Sequence, residues 1–289
     1  MRFIRICAVI LALLLLVGCG SQMPAADIAA TTSPVAQFAQ TIADGTSVTV
    51  AQVISEPVSC LHDYTLSVEQ MKVLEQSNLV LLSGLGLEDF MTDVLADKST
   101  FDCSQGAELL HLEGHDDHDG HDHGHFDPHL WLSPENAKVM AENICSAFSA
   151  QYPEFSEVFR TNTDTLIARL EQLQAYGQAA LSELSCRKLI TFHDGFAYLA
   201  HSFDLEILES VEEESGSEAS AKELIHMIEL VKNNKLPAIF TEKNGSVSAA
   251  SVICAETGVQ AYALDMAMGG SNYFAAMEEN INTLKEALQ

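Results

Sequence analysis

The residues best able to do chemistry stand in one stretch, His111 to Pro134. It carries His111, His115, His118, His121, His123, His125 and His129, seven of the eleven histidines in the chain, interleaved with aspartates. Neutral imidazole and carboxylate are ligands for borderline transition ions such as zinc. A short tract this rich in histidine therefore points to metal binding. Two parts of the stretch differ. From His111 to His125, six histidines fall within fifteen residues among Gly and Asp, which supplies ligands without fixed geometry. The end, Asp127-Pro128-His129-Leu130-Trp131, is stiffer, and Ser133-Pro134-Glu135 starts a helix directly behind it, with a capping Ser, Pro at the first helical position and Glu at the positive end. The first part reads as a flexible collector and His129 as a built ligand.

The elements that must position these groups follow from periodicity. Ser47 to Ile54 alternates and is β-rich, Ser67 to Gln76 is helical with Ser67 as cap, Leu79 to Leu82 is a strand, Leu87 to Ala96 is helical and Thr100 to Cys103 is a strand. A helix runs from Ser133 to about Ala150. From Pro153 to Leu184 apolar residues recur at helical spacing, a length of roughly 45 Å at 1.5 Å per residue, which predicts a rigid connector. The second half repeats the theme, with strands at Lys188 to Phe192, Leu205 to Leu208, Ala238 to Thr241 and Val259 to Leu264, and helices at Phe196 to Ser202, Ser220 to Asn233, Ser246 to Thr257 and Asn272 to Leu288. Such alternation predicts an α/β protein of two lobes, each a parallel-sheet α/β sandwich, joined by one long helix. The expected bounds are 45–150 for the first lobe, 151–185 for the connector and 186–289 for the second lobe.

In open parallel sheets ligands bind beyond the carboxyl ends of the strands. His62, His193 and Asp265 each follow a strand, and His129 closes the histidine-rich loop. Three imidazoles and one carboxylate meeting in the cleft between lobes would suit tetrahedral zinc. Taken singly, a histidine after a strand is more often a polar loop residue. His201 and His226 fall within helices and read as surface or core-edge residues.

Composition bounds the rest. With 289 residues and 47% of them hydrophobic, the chain can build two domains, and its net charge of −27 excludes a nucleic-acid partner. A strongly acidic surface is by itself a solubility device. Arg2 and Arg5 precede an apolar run, Ile6 to Val17, too short to span a membrane. Leu16-Val17-Gly18-Cys19 then resembles a bacterial lipobox, in which the cysteine is lipidated. Residues 1–19 are thus expected to be a lipoprotein signal, 20–44 a flexible tether, and the protein extracytoplasmic, anchored to the membrane through Cys19. Export makes disulfides possible. Five cysteines remain after Cys7 and Cys19, so at least one is unpaired within the chain. The expected pair is Cys60 with Cys103, then Cys186 with Cys254. No C-x-x-C spacing suggests a cysteine zinc site.

Asp127-Pro128-His129-Leu130-Trp131-Leu132-Ser133-Pro134 resembles the signature of solute-binding proteins that serve zinc and manganese ABC importers, most closely the zinc-uptake members, which often carry a His-rich acidic loop just before it. His62-Asp63-Tyr64, Phe192-His193-Asp194, Ser220-Ala221-Lys222-Glu223-Leu224 and Leu264-Asp265 before Gly269-Gly270 match further family segments, so the resemblance covers about Ser47 to Leu288. It implies a non-catalytic, monomeric carrier whose cargo, Zn2+, is held by His62, His129, His193 and Asp265 and passed to a permease and its ATPase. His at the third position is what zinc members have, where manganese members usually have a carboxylate. The sequence departs from the family at Cys60, two residues before His62, and at Asp265-Met266-Ala267-Met268, where Asp-Pro-Leu is usual. The fourth ligand is accordingly Asp265, a carboxylate of Glu212-Glu213-Glu214, or water. Affinity should fall below about pH 6.5 as imidazoles protonate. The competing readings are a manganese importer component, an extracytoplasmic zinc hydrolase, for which no H-E-x-x-H is present, and a buffering or adhesive lipoprotein without a transporter.

Overall fold

The computed structural model describes residues 26–58, 61, 64–111, 126–210 and 219–289. Its first lobe holds β1 (Ile28–Ala30), α1 (Ser33–Ala43), β2 (Val50–Gln52), α2 (Val68–Gln76), β3 (Leu79–Leu82), α3 (Thr92–Leu95) and β4 (Thr100–Asp102). These strands make one parallel sheet in the order β2-β1-β3-β4. After α4 (Pro134–Gln151) and α5 (Ser156–Ala180), the second lobe holds β5 (Lys188–Thr191), α6 (Ala197–Ser202), β6 (Glu206–Ser210), α7 (Ala221–Asn234), β7 (Ala238–Glu242), α8 (Ser248–Thr257), β8 (Gln260–Leu264) and α9 (Tyr273–Leu288). Its sheet is again parallel, in the order β6-β5-β7-β8. Parallel neighbours need long crossovers, and the helices supply them. Covered on both faces, β1 and β7 are buried at every residue.

One expectation is overturned. Residues 20–44 are not a tether throughout: from Ile28 to Ala43 they form an inner strand of the first sheet and a buried helix. Small residues read as linker composition, yet Ala29 and Ala30 let helices press close to β1. In α1, Pro34 sits in the first turn, while Val35, Phe38 and Ile42 share one buried face. The first lobe therefore begins well before residue 45.

The connector lies inside its expected span. Its 25-residue α5 is roughly 37 Å long by helical rise. Phe159, Thr163, Leu166, Leu170, Leu173 and Gly177 form its buried stripe. A Cβ on Gly177 would stand 2.2 Å from Phe203 Cε1, so only glycine lets that second-lobe ring rest on the helix. Arg187 anchors the helix end, donating from Nη2 to the carbonyls of Leu181 and Ser182 and from Nη1 to those of Phe203 and Asp204. One apolar core runs through both lobes, and a smaller one around Ile190, Met227 and Ile253 lies in the second. Among the described residues no helix is long and apolar enough to cross a membrane.

Candidate metal centre

The centre begins at the neck of the histidine-rich loop. His111 and Phe126 form an isolated antiparallel bridge, with ring centroids 4.5 Å apart, and Asp127 N donates to Leu110 O at 3.0 Å. The second lobe reaches over to hold this neck, because the Tyr198 hydroxyl accepts from Leu110 N at 3.1 Å. Asp127 is fully buried. Its Oδ1 accepts from His129 N at 2.8 Å and lies 2.7 Å from His129 Nδ1. Among the described residues, the hydrogen bonds its carboxylate accepts all come from His129. A carboxylate on Nδ1 fixes the tautomer with the proton there and leaves the Nε2 lone pair for a metal.

Behind His129, a 3-10 turn over Leu130–Leu132 buries Trp131 completely, and Ser133 Oγ accepts from Asn136 N to cap α4. The indole Nε1 donates to Met266 O at 2.8 Å, and the Tyr273 hydroxyl donates to Trp131 O at 2.8 Å. Both partners belong to the second lobe, so the motif that carries His129 is also the seam between lobes.

His193 follows β5. Its ring stands across that seam with its centroid 5.3 Å from that of His129, nearly perpendicular. Glu242, 2% exposed at the carboxyl end of β7, places Oε2 3.9 Å from His193 Nδ1. Strand register explains this: β7 lies beside β5, with Phe192 N bonded to Phe240 O. Gly195 keeps the space open, since a Cβ there would come within 2.6 Å of Met266 Cε and 2.7 Å of His193 Cδ2. Each histidine thus has a buried carboxylate on its Nδ1 side. Composition did not reveal Glu242's role; the only signal was a charged residue ending a strand that is otherwise mostly apolar.

Of the ligand set suggested by the sequence, the structure brings His129 and His193 together. Asp265, after β8, is buried but engaged elsewhere: Oδ1 accepts from Ala267 N at 2.8 Å, and Oδ2 from Lys243 Nζ at 3.1 Å and Ser271 Oγ at 3.0 Å. Among the described residues no three His, Cys, Asp or Glu side chains converge on one point. His62, Cys60, Cys19, His115, His118, His121, His123, His125 and Glu212 to Glu214 lie outside the described residues. His201 and His226 are exposed, each 3.5 Å from a carboxylate, Glu108 and Glu209 respectively.

The expected Cys60–Cys103 disulfide is not formed. Cys103 is a free, fully buried thiol behind β4, and burial, together with Glu88 and Asp102, pushes it well above its usual range. Cys186 and Cys254 are likewise free.

Two parallel-sheet lobes on one long helix, meeting over a pair of histidines, His193 after β5 and His129 just before α4, define a two-lobed solute-binding protein. The chain belongs to the family described as zinc-uptake complex component A, periplasmic (ZnuA), whose family model matches residues 28–287. It is 29% identical over 310 residues to the zinc-binding lipoprotein AdcA of Streptococcus pneumoniae R6, covering 99% of this chain and 61% of that one. It is 30% identical over 252 residues to the zinc-binding protein AdcA of Streptococcus pyogenes MGAS315, covering 78% and 49%. It thus spans less than two thirds of the length of these relatives. Among solved structures, a crystal structure of ZnuA superposes with a TM-score of 0.80 at 27% identity, covering 92% of this chain and all of that one. Zn(II)-bound AdcA from Streptococcus pneumoniae superposes at 0.76 and 27%, covering 92% and 58%.

Proposed function

We propose that this protein captures Zn2+ outside the cytoplasmic membrane and delivers it to an ABC-importer permease driven by its ATPase. The observation that carries this reading is the facing pair His129 and His193, one from each lobe, each with a buried carboxylate behind it. His62, which the family resemblance assigns to the same set, supplies the third imidazole. The histidines from His111 to His125 gather the ion weakly near the cleft, and lipidated Cys19 holds the protein at the membrane. Imidazole donors on both lobes favour zinc over manganese, and the zinc-binding relatives support the same cargo.

Isothermal calorimetry of the mature protein tests this. His129→Ala and His193→Ala should each weaken the tight zinc site by roughly a hundredfold or more, about 2.7 kcal/mol. Retention of full affinity in either variant would show that the cleft is not the site.

A further inference from the structure

Between β2 and α2, two side chains tie the chain back on itself. The Tyr64 hydroxyl donates to Glu56 Oε2 at 3.0 Å, so one bond fastens both ends of the segment 57–63, which contains His62. Gln70 completes the cluster. Its Nε2 donates to the Tyr64 hydroxyl at 2.6 Å and to Glu56 Oε2 at 3.1 Å, and the same carboxylate oxygen accepts from Ser55 N. Gln70 is itself fixed, because it is 2% exposed and closes the capping box with Ser67 at the start of α2. The cluster is therefore rooted in a helix end rather than in a loop.

Further contacts hold the same stretch. Leu61 is buried, and its carbonyl accepts from Tyr64 N at 3.0 Å. The Tyr64 ring meets Phe90 edge-on with centroids 5.8 Å apart. The second lobe presses from the other side: a Cβ on Gly269 would stand 2.9 Å from Pro57 Cα and 3.2 Å from Asn244 Nδ2. Only glycine lets the turn after β8 lie this close to the backbone next to Glu56.

We propose that Glu56, Tyr64 and Gln70 are positioning residues for the third imidazole of the zinc site, ordering the segment that carries His62 before the ion arrives. This rests on the zinc-binding reading above, in which His62 is a ligand, and deepens it. A segment already fastened at both ends loses less conformational freedom when a metal engages it, and that saving appears as affinity. None of the three need touch the ion.

Tyr64→Phe keeps the ring on Phe90 and removes the hydroxyl, and Glu56→Ala removes the acceptor at an exposed position that leaves the capping box intact. Zn2+ affinities of the wild type, the two variants, His62→Ala, and each variant combined with His62→Ala are measured by competition with chromophoric chelators. Tyr64→Phe and Glu56→Ala should each weaken zinc binding by roughly five- to tenfold. Neither should cost anything further in the His62→Ala background, where a general loosening of the lobe would cost as much as before. The proposal is overturned if either variant binds zinc as tightly as the wild type, or if its loss persists undiminished without His62. A His62→Ala variant with wild-type affinity, or a wild-type chain that takes no zinc, overturns the parent reading together with this one; the other adverse outcomes strike the cluster's role alone.

Discussion

Asp127 shows how a single residue sets the chemistry of its neighbour. With Oδ1 bound to both the backbone N and Nδ1 of His129, it fixes the ring's orientation and tautomer together. Removing such a partner from a metal-bound histidine typically costs ten- to a hundredfold in affinity. Asp127→Ala should therefore weaken zinc binding by roughly that factor, measured by chelator competition, while Asp127→Asn, which can still accept from Nδ1, should lose less. Equal affinity in the alanine variant and the wild type would remove Asp127 from the site. His129 itself was legible in the sequence, because proline before it and a capped helix after it mark a built position. The roles of Asp127, Glu242 and Lys243 were not, since a carboxylate or ammonium near a ligand reads the same whether it faces the ring or the solvent. Only the register of β7 against β5 and β8 brings Glu242 and Lys243 to their places.

At the scale of elements, capped helices were the most legible feature. Ser67 and Ser220 form full capping boxes with Gln70 and Glu223, and each helix starts one residue later, as local chemistry requires. The first strand was not legible, because three residues of Ile-Ala-Ala carry too little pattern to separate a buried strand from a linker. The loop after β3 hides a further device. Glu88 is buried there, accepting from Thr31 Oγ1 and Ser83 N through Oε1 and from Gly84 N through Oε2. Burial outweighs those bonds and, with Asp102 nearby, pushes its carboxyl up to about 7. Between about pH 4.5 and 7 the folded protein therefore keeps a proton that the unfolded chain has released. The contribution to stability is full below the unfolded value and is lost as pH rises through the folded one, on the order of 3 kcal/mol. Denaturant unfolding at pH 5 and pH 8 should show wild type losing stability with rising pH more steeply than Glu88→Gln. Identical pH slopes in the two proteins would exclude this role.

For the whole molecule, the two lobes were visible as a repeated strand–helix theme, but the way they join was not. They share more than a hinge: Trp131 from the first lobe is bonded through Nε1 to Met266 and through its carbonyl to Tyr273, while Gln37 in α1 donates to Ser271 O and accepts from Tyr273 N. Phe38 meets the Tyr273 ring edge-on with centroids 4.8 Å apart. Because one apolar core crosses this seam, neither lobe can unfold without exposing surface of the other. The protein should therefore unfold in a single cooperative transition, although a chain of this size with two sheets could have shown two. Trp131 makes the test direct, since it is the only tryptophan in the chain and is fully buried at the seam. Its fluorescence reports the joint, whereas far-UV circular dichroism reports the helices of both lobes. The two signals should fall together along a guanidinium titration, with the same midpoint. Loss of fluorescence ahead of ellipticity would mean that the lobes part before either unfolds, and that the seam, for all its hydrogen bonds, does not unite them.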